Sequence, residues 1–162
     1  MNRQWIEAAQ NGRVEEVEAL LRDHPDLDVN WAFGNQWTAL HWASASCHTE
    51  VVKLLLAHPA INVNPLNQYG STPFLFGCAN LQVSVAQLLS KDPRVDVKWS
   101  DYNGCTSLWL ASCYGSQEVV EWLIAAGLDL GDLGKKGKYL GDDLKYTAIE
   151  IAKKRNRPEV VV

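Results

Sequence analysis

The sequence predicts an all-α protein made of repeated pairs of short helices, and three observations indicate it. Thr38, Thr72 and Thr106 begin similar segments at equal spacing along the chain, and Thr147 begins another after a longer interval. Each segment carries two apolar patterns of helical period, separated by a short turn. Glycine or proline marks the end of the second pattern or the tight turn before the next threonine. A fixed period of this kind is typical of repeat proteins.

Each repeat begins with a threonine whose hydroxyl can cap a short helix of small and apolar residues, such as LHWASA or LWLASC. In one copy Pro73 follows the threonine, where the missing N–H of proline costs least. A turn comes next, with glycine at Gly12 and Gly115. The second helix then carries a strong apolar face, formed by Val51, Val52, Leu54 and Leu55, by Val85, Leu88 and Leu89, and by Val119, Val120, Trp122 and Leu123.

A loop closes each repeat. Three of the loops read HPDLDVN, HPAINVN and DPRVDVK, and their prolines stop the preceding helix. The tips QYGST and DYNGCT carry Gly70 and Gly104, as tight turns require. A first copy, WIEAAQNGRVEEVEALLRDHPDLDVN, precedes the others without a threonine turn, so the chain holds five aligned units.

The segment TALHWA, followed by EVVKLLL and INVN, resembles an ankyrin repeat, and TSLWLASCYGSQEVVEWLI resembles it as well. The resemblance implies an all-α, ankyrin-repeat solenoid of stacked helix–turn–helix units with projecting β-turn fingers. The fingers and the first helices would line a concave face. One ankyrin-repeat domain would cover residues 1–162, with repeats at about 2–34, 35–68, 69–102, 103–143 and 144–162.

The turn between the two helices departs from the family pattern in three units. Its usual glycine is replaced by Cys47, Leu81 and Asn156. Asparagine tolerates a left-handed backbone, whereas cysteine and leucine do so poorly. We therefore expect the turns at Cys47 and Leu81 to relax or to carry strain.

The stretch ALHWASASCHTE concentrates His41, Cys47, His48 and Glu50, which suggests a metal site or a Cys–His nucleophile. A structural zinc site needs four converging ligands, and this stretch offers three at most. The ankyrin resemblance implies architectural roles instead: His41 bonds the backbone and threonine at a helix start, and His48 lies in a turn. We expect no catalytic residue, metal or cofactor. A Cys–His enzyme is the rival hypothesis, and it requires a thiol with a lowered pKa.

The four cysteines form no CxxC pair and no dense framework, which favours free thiols in a reducing compartment. Cys78 and Cys113 fall in first helices and should be buried, whereas Cys105 at a finger base should be exposed. No signal peptide and no run of about 18 apolar residues is present. These features predict an intracellular protein of the cytoplasm or the nucleus.

The fingers and the exposed part of the first helices are where the resemblance implies binding. Trp5, Trp42, Trp109 and Trp122 should pack in the core, whereas Trp37 should face a partner. Tyr69 and Tyr102 belong to the fingers of neighbouring repeats and should project side by side. The predicted binding residues are Asn35, Trp37, Ala45, Ser46, Gln68, Tyr69, Ser71, Asn80, Tyr102, Asn103, Cys105 and Tyr114.

The charge of the chain is uneven. Residues 1–130 carry 7 Lys or Arg and 14 Asp or Glu, and residues 131–162 carry 8 and 5. An acidic chain with few basic residues argues against nucleic acid as a partner. The lysine-rich insertion GDLGKKGKYLGDDLKY accounts for the longer interval before Thr147, and it is expected to be a solvated loop or a contact for an acidic partner.

These features together predict a monomeric scaffold that binds a protein or peptide partner, without membrane attachment. The alternative is a regulatory or targeting module cut from a larger multidomain protein, including an enzyme. Apolar residues 160–162, inside an incomplete second helix, favour a chain that continues. Asn64 in LAHPAINVN partly matches the ankyrin site of asparaginyl hydroxylases, so hydroxylation there is a further hypothesis.

Overall fold

A computed structural model of the chain describes residues 1–81, 83–139 and 141–158. Its helices are α1 (Asn2–Gln10), α2 (Val14–Asp23), α3 (Ala39–Ala45), α4 (Thr49–Ala57), α5 (Pro73–Ala79), α6 (Ser84–Ser90), α7 (Ser107–Tyr114), α8 (Gln117–Ala125) and α9 (Ala148–Lys154). Its strands are β1 (Ala32–Phe33), β2 (Trp37–Thr38), β3 (Gly137–Lys138) and β4 (Lys145–Tyr146). The prediction of a mostly helical chain is confirmed. Residues 160–162, which suggested a longer chain, lie outside the described residues.

The four threonines of the repeat period cap first helices, as the sequence predicts. Each hydroxyl accepts a hydrogen bond from the backbone N–H three residues further on. These bonds join Thr38 to His41 (3.4 Å), Thr72 to Leu75 (3.4 Å), Thr106 to Trp109 (3.2 Å) and Thr147 to Glu150 (3.3 Å). No helix of the described part of the chain is long and apolar enough to cross a membrane.

The helices pack in two rows that follow the order of the chain. First helices α1, α3, α5, α7 and α9 each contact the next, and second helices α2, α4 and α6 do likewise. Between the rows runs a continuous apolar core that extends from Trp5 to Ala152. Trp5 and Trp109 are buried, while Trp42 and Trp122 pack against this core, which confirms their predicted packing roles.

Asparagines at the loops fasten each loop to the next, a role that the sequence pattern did not reveal. Asn30 Nδ2 donates to Ala60 O (2.7 Å), and Asn30 Oδ1 accepts from Asn62 N (2.7 Å). Asn64 repeats this arrangement with Arg94 O (2.7 Å) and Asp96 N (2.9 Å). The hydroxylation of Asn64 stays a prediction. Both polar atoms of its side-chain amide are hydrogen-bonded in the structure.

The atypical helix–helix turns divide into a strained type and a relaxed type. Cys47 and Asn156 adopt left-handed backbone conformations, with φ of 59° and 54°. The turn at Leu81 relaxes instead: Asn80 is extended (ψ 154°) and α6 starts later than the period requires. The Asn80 amide compensates by donating to Ser44 O and Ala45 O, both at 3.1 Å. Both outcomes expected from the sequence are therefore observed.

The first finger also contains backbone strain. Strands β1 and β2 form an antiparallel hairpin in which Phe33 pairs with Trp37. Gln36 precedes β2 with φ of 62°, at the place where the later fingers have Gly70 and Gly104. A left-handed conformation costs a side-chain-bearing residue about 1 kcal/mol or more, whereas glycine adopts it readily.

Replacing Gln36 by glycine should therefore raise the free energy of unfolding by about 0.5 to 1 kcal/mol, because the strain is removed and no buried contact is lost. Urea unfolding followed by circular dichroism measures the change. Gln68→Gly is the matched control: Gln68 is exposed in the next finger and has no positive φ, so glycine there should destabilise the protein. Equal destabilisation by both variants would show that position 36 carries no strain.

Candidate partner-binding groove

The fingers of neighbouring repeats are joined in one row by main-chain hydrogen bonds. We call this row the finger ladder. Its bonds run from Gln68 N to Asn35 O (2.9 Å), from Tyr102 N to Tyr69 O (3.0 Å) and from Lys138 N to Asn103 O (2.9 Å). The ladder fixes the spacing of the finger tips, because each bond ties two otherwise separate loops together.

The bases of the second and third fingers are closed by the same side-chain device. Asn67 Oδ1 accepts hydrogen bonds from Tyr69 N (2.9 Å) and Ser71 N (3.0 Å). Asp101, the equivalent residue of the next repeat, does this with its own Oδ1, which accepts from Asn103 N (2.9 Å) and Cys105 N (2.8 Å). Such turns are a common use of Asn and Asp, since the short side chain reaches the backbone two residues on.

A groove of about 300 Å³ lies between the fingers and the first helices α5 and α7. Six aromatic side chains line it, together with aliphatic and polar residues. The aromatic residues are Trp37, Tyr69, Phe76, Trp109, Tyr114 and Tyr139. The others are Ser71, Leu75, Ala79, Asp101, Asn103, Cys105, Leu110 and Lys138. A concave, mostly apolar site with a few polar groups is the usual form of a binding pocket.

Trp37, which was expected to face a partner, both packs against neighbouring aromatic rings and lines the groove. Its half-buried ring lies 4.5 Å from that of Trp42 and 4.4 Å from that of Phe76, measured between ring centroids. It also lines the groove. Because it is packed on one side, Trp37 presents a fixed aromatic surface rather than a mobile side chain.

His41 packs against Trp37 and Phe76 and has a structural role. Its Nδ1 accepts from Thr38 N (3.2 Å), so Nε2 carries the proton and donates to Ser71 O (3.0 Å). The ring centroid lies 5.8 Å from that of Trp37 and 5.9 Å from that of Phe76. Burial lowers the pKa of His41 to about 4, so the ring is neutral at physiological pH. The bonding expected for this histidine is confirmed.

The other residues of the ALHWASASCHTE stretch have contacts that suit packing. His48 Nε2 bonds Gln10 O of the previous unit (3.0 Å), and Glu50 pairs with Lys53 on the surface (2.7 Å). Burial raises the pKa of the Cys47 thiol, which is opposite to the activation that a nucleophile needs. Within residues 1–81, 83–139 and 141–158, no three His, Cys, Asp or Glu side chains converge as a metal site would require.

Half of the predicted binding residues line the groove. These are Trp37, Tyr69, Ser71, Asn103, Cys105 and Tyr114. Asn35, Ala45, Ser46, Gln68, Asn80 and Tyr102 lie outside its lining. Tyr102 is well exposed at 71%, and its ring lies against Gly70, where an added Cβ would meet it at 2.5 Å. The amide of Asn80 is occupied by backbone carbonyl groups.

The prediction that Cys105 is exposed is wrong. Its side chain is buried at 3% exposure, because the inserted segment covers it. Gly137 in that segment approaches so closely that an added Cβ would lie 3.0 Å from Cys105 Sγ. Burial also raises the pKa of the Cys105 thiol. Cys78 and Cys113 are buried, as the sequence predicts.

Most described residues of the lysine-rich insertion are exposed, as expected of a solvated loop, but the segment also packs against the repeats through Gly137, Tyr139 and Tyr146. Strands β3 and β4 pair as an antiparallel hairpin, which forms a fourth finger. Trp109 Nε1 donates to Tyr146 O (2.8 Å), and Tyr139 and Tyr146 pack against a buried cluster that includes Trp109 and Ile151. Through Lys138 and Tyr139 the insertion forms one wall of the groove. Leu140 lies outside the described residues.

Comparison with known families and proteins agrees with this architecture. A model of ankyrin repeats in three copies matches residues 5–98 and 61–133. The sequence is 31% identical to the probable E3 ubiquitin-protein ligase XBOS32 of Oryza sativa subsp. japonica. This alignment spans 121 residues, which are 74% of this chain and 24% of the relative. The sequence is 34% identical to the rice probable E3 ubiquitin-protein ligase XBOS33 and 31% identical to the E3 ubiquitin-protein ligase XBAT32 of Arabidopsis thaliana, again over 74% of this chain and 23% of each relative. The chain thus spans about a quarter of the length of these relatives.

Acid should destabilise the protein through His41. Because folding lowers its pKa from 6.5 to about 4, the folded state favours the neutral ring. This contribution is complete above pH 6.5 and is lost as the pH falls toward 4. Between about pH 7 and about pH 4.5 the loss should be roughly 2 to 3 kcal/mol.

Urea unfolding of the wild type and of His41→Gln at both pH values isolates this effect, because the variant keeps the other titrating groups. The wild type should lose more stability on acidification than the variant. The same pH dependence in both proteins would mean that His41 is not held neutral by burial.

Proposed function

Because this chain belongs to the ankyrin-repeat family, we propose that it is a protein-recognition module that does no chemistry itself. Its partner, a protein or peptide, binds the face made by the fingers and the first helices. In this proposal the repeats at about 2–34, 35–68, 69–102, 103–143 and 144–162 form one solenoid, and this face is its concave side. The module acts inside the cell as a monomer and needs no cofactor.

The aromatic groove is the observation that carries this proposal. Aromatic side chains dominate the energetics of protein interfaces because they bury a large area with few rotatable bonds. Tyr69 and Tyr114 are each 48% exposed at the groove, so each has area left to bury against a partner. Ser71 and Asn103 beside them supply polar groups of the kind that fix the orientation of a ligand.

The rigidity of the groove supports the same function. The finger ladder, the bond from Trp109 to Tyr146 and the packing of Trp37 hold its walls before any partner arrives. A preformed surface loses little conformational entropy on binding, which favours affinity. Recognition therefore requires no rearrangement of the fingers.

A second candidate function follows from the relatives. Three of them are E3 ubiquitin-protein ligases or probable ones, and the chain corresponds to about a quarter of each. We propose as the alternative that this module is part of a longer protein, in which it holds a partner for an activity located elsewhere. Ubiquitylation of the bound partner by the full-length protein, measured with and without the groove variants described next, distinguishes this role from simple scaffolding.

Replacing Tyr69 or Tyr114 by alanine should weaken the partner complex by more than about 1 kcal/mol each, at least a fivefold rise in Kd. The partner would be isolated by affinity capture from the native cell, and its affinity measured by calorimetry with purified proteins. Ile124→Ala is the matched control, because Ile124 is an exposed apolar residue on the second helix α8. Full affinity in both tyrosine variants would exclude the groove as the binding surface.

A further inference from the structure

The groove contains a carboxylate without a cationic partner. Asp101 is half-buried, and its Oδ1 accepts the two backbone hydrogen bonds of the finger base. Burial raises the pKa of Asp101, which reflects the unfavourable removal of a charge from water. None of the ion pairs among the described residues includes Asp101. The charge of Lys135 opposes this rise in the pKa of Asp101, but its ammonium group donates to Ser100 Oγ (2.6 Å).

The finger itself does not need this charge. Asn67 closes the preceding finger with the same two backbone bonds, through a neutral amide oxygen. The hydrogen-bonding geometry of the base is therefore available without an anion. A desolvated charge that local structure does not require is a suitable partner for a cation brought by a ligand.

The surroundings of Asp101 also favour a positive ligand group. Six aromatic side chains line the groove, and the face of an aromatic ring attracts a cation. One of these rings, Tyr139, already makes a cation–π contact, since the guanidinium carbon of Arg155 lies 5.0 Å from its ring centroid. Lys138, the cation in the lining, lies 3.9 Å from the carboxylate of Asp143. The excess of acidic residues in positions 1–130 attracts a basic partner as well.

We propose that the groove binds a protein segment that inserts a basic side chain between the aromatic walls, where it pairs with Asp101. Arginine suits the site better than lysine, because its planar guanidinium stacks on aromatic rings while its edge donates to a carboxylate. This inference rests on the proposed function and specifies the chemistry of the partner.

Selection of random twelve-residue peptides displayed on phage tests the proposal with the whole chain as bait. The enriched peptides should share an arginine or lysine at one position. An enriched peptide is then synthesised with arginine and with citrulline, its neutral analogue, and both are titrated against the wild type. Citrulline should weaken binding about tenfold.

Asp101→Asn completes a double-mutant cycle. This variant should bind the arginine peptide about tenfold more weakly than the wild type does, and citrulline should cause little further loss. Glu118→Gln, which removes an exposed charge on α8, should leave the affinity unchanged. The precedent of Asn67 indicates that Asp101→Asn keeps the finger intact, and the citrulline peptide tests the pairing on the unaltered protein in any case.

The outcomes separate the inference from the proposed function. One outcome is that the selected peptides bind Tyr69→Ala or Tyr114→Ala more weakly and yet share an acidic or a purely apolar motif. That result overturns the inference that the ligand carries a basic side chain, and it leaves the proposed binding face in place. Equal affinity for the arginine and citrulline peptides also overturns this inference. A selection that yields no peptide sensitive to either tyrosine variant overturns both the inference and the proposed face.

Discussion

The main-chain hydrogen bonds of the finger ladder are the constraint on which the groove depends. Residues one repeat apart in the chain are brought into register there, so that the tip of each finger touches the next. Threonine caps set the start of the first helices α3, α5, α7 and α9, and the packed helix rows repeat this spacing beneath the fingers. The aromatic side chains that line the groove lie between these two layers, the finger ladder and the first helices. A shift of one finger would therefore displace a wall.

Much of this architecture could be predicted from the sequence, because a repeat shows the same signals several times. The threonines, the turn glycines and the apolar faces of the second helices recur with one period and locate the helices. The opposite outcomes at Cys47 and Leu81 were harder to foresee. Both residues disfavour a left-handed turn, and the bonds that accompany the relaxed turn, from Asn80 to the first helix α3 of the preceding repeat, have no local sequence signal.

The composition of the groove could be predicted only in part. Alignment predicted that Trp37, Tyr69 and Tyr114 share one face, because equivalent positions of a repeat face the same way, and all three line the groove. It could not place the extra residues of the insertion, which have no counterpart in the other repeats. The insertion packs through a close approach at Gly137 and a bond from Trp109 to the backbone, and neither contact has a local sequence signal. For this reason Cys105 was expected at the surface and is buried.

Hydrogen–deuterium exchange with and without the partner, resolved to individual segments, tests most directly whether the groove face is the binding surface. Slower exchange on binding is expected in the finger tips around residues 69–71 and 101–105 and in α7. The second helices α4 and α6, on the other row, should exchange at unchanged rates. Protection confined to α4 and α6, with the fingers unaffected, would show that the partner binds the second helices and not the groove face.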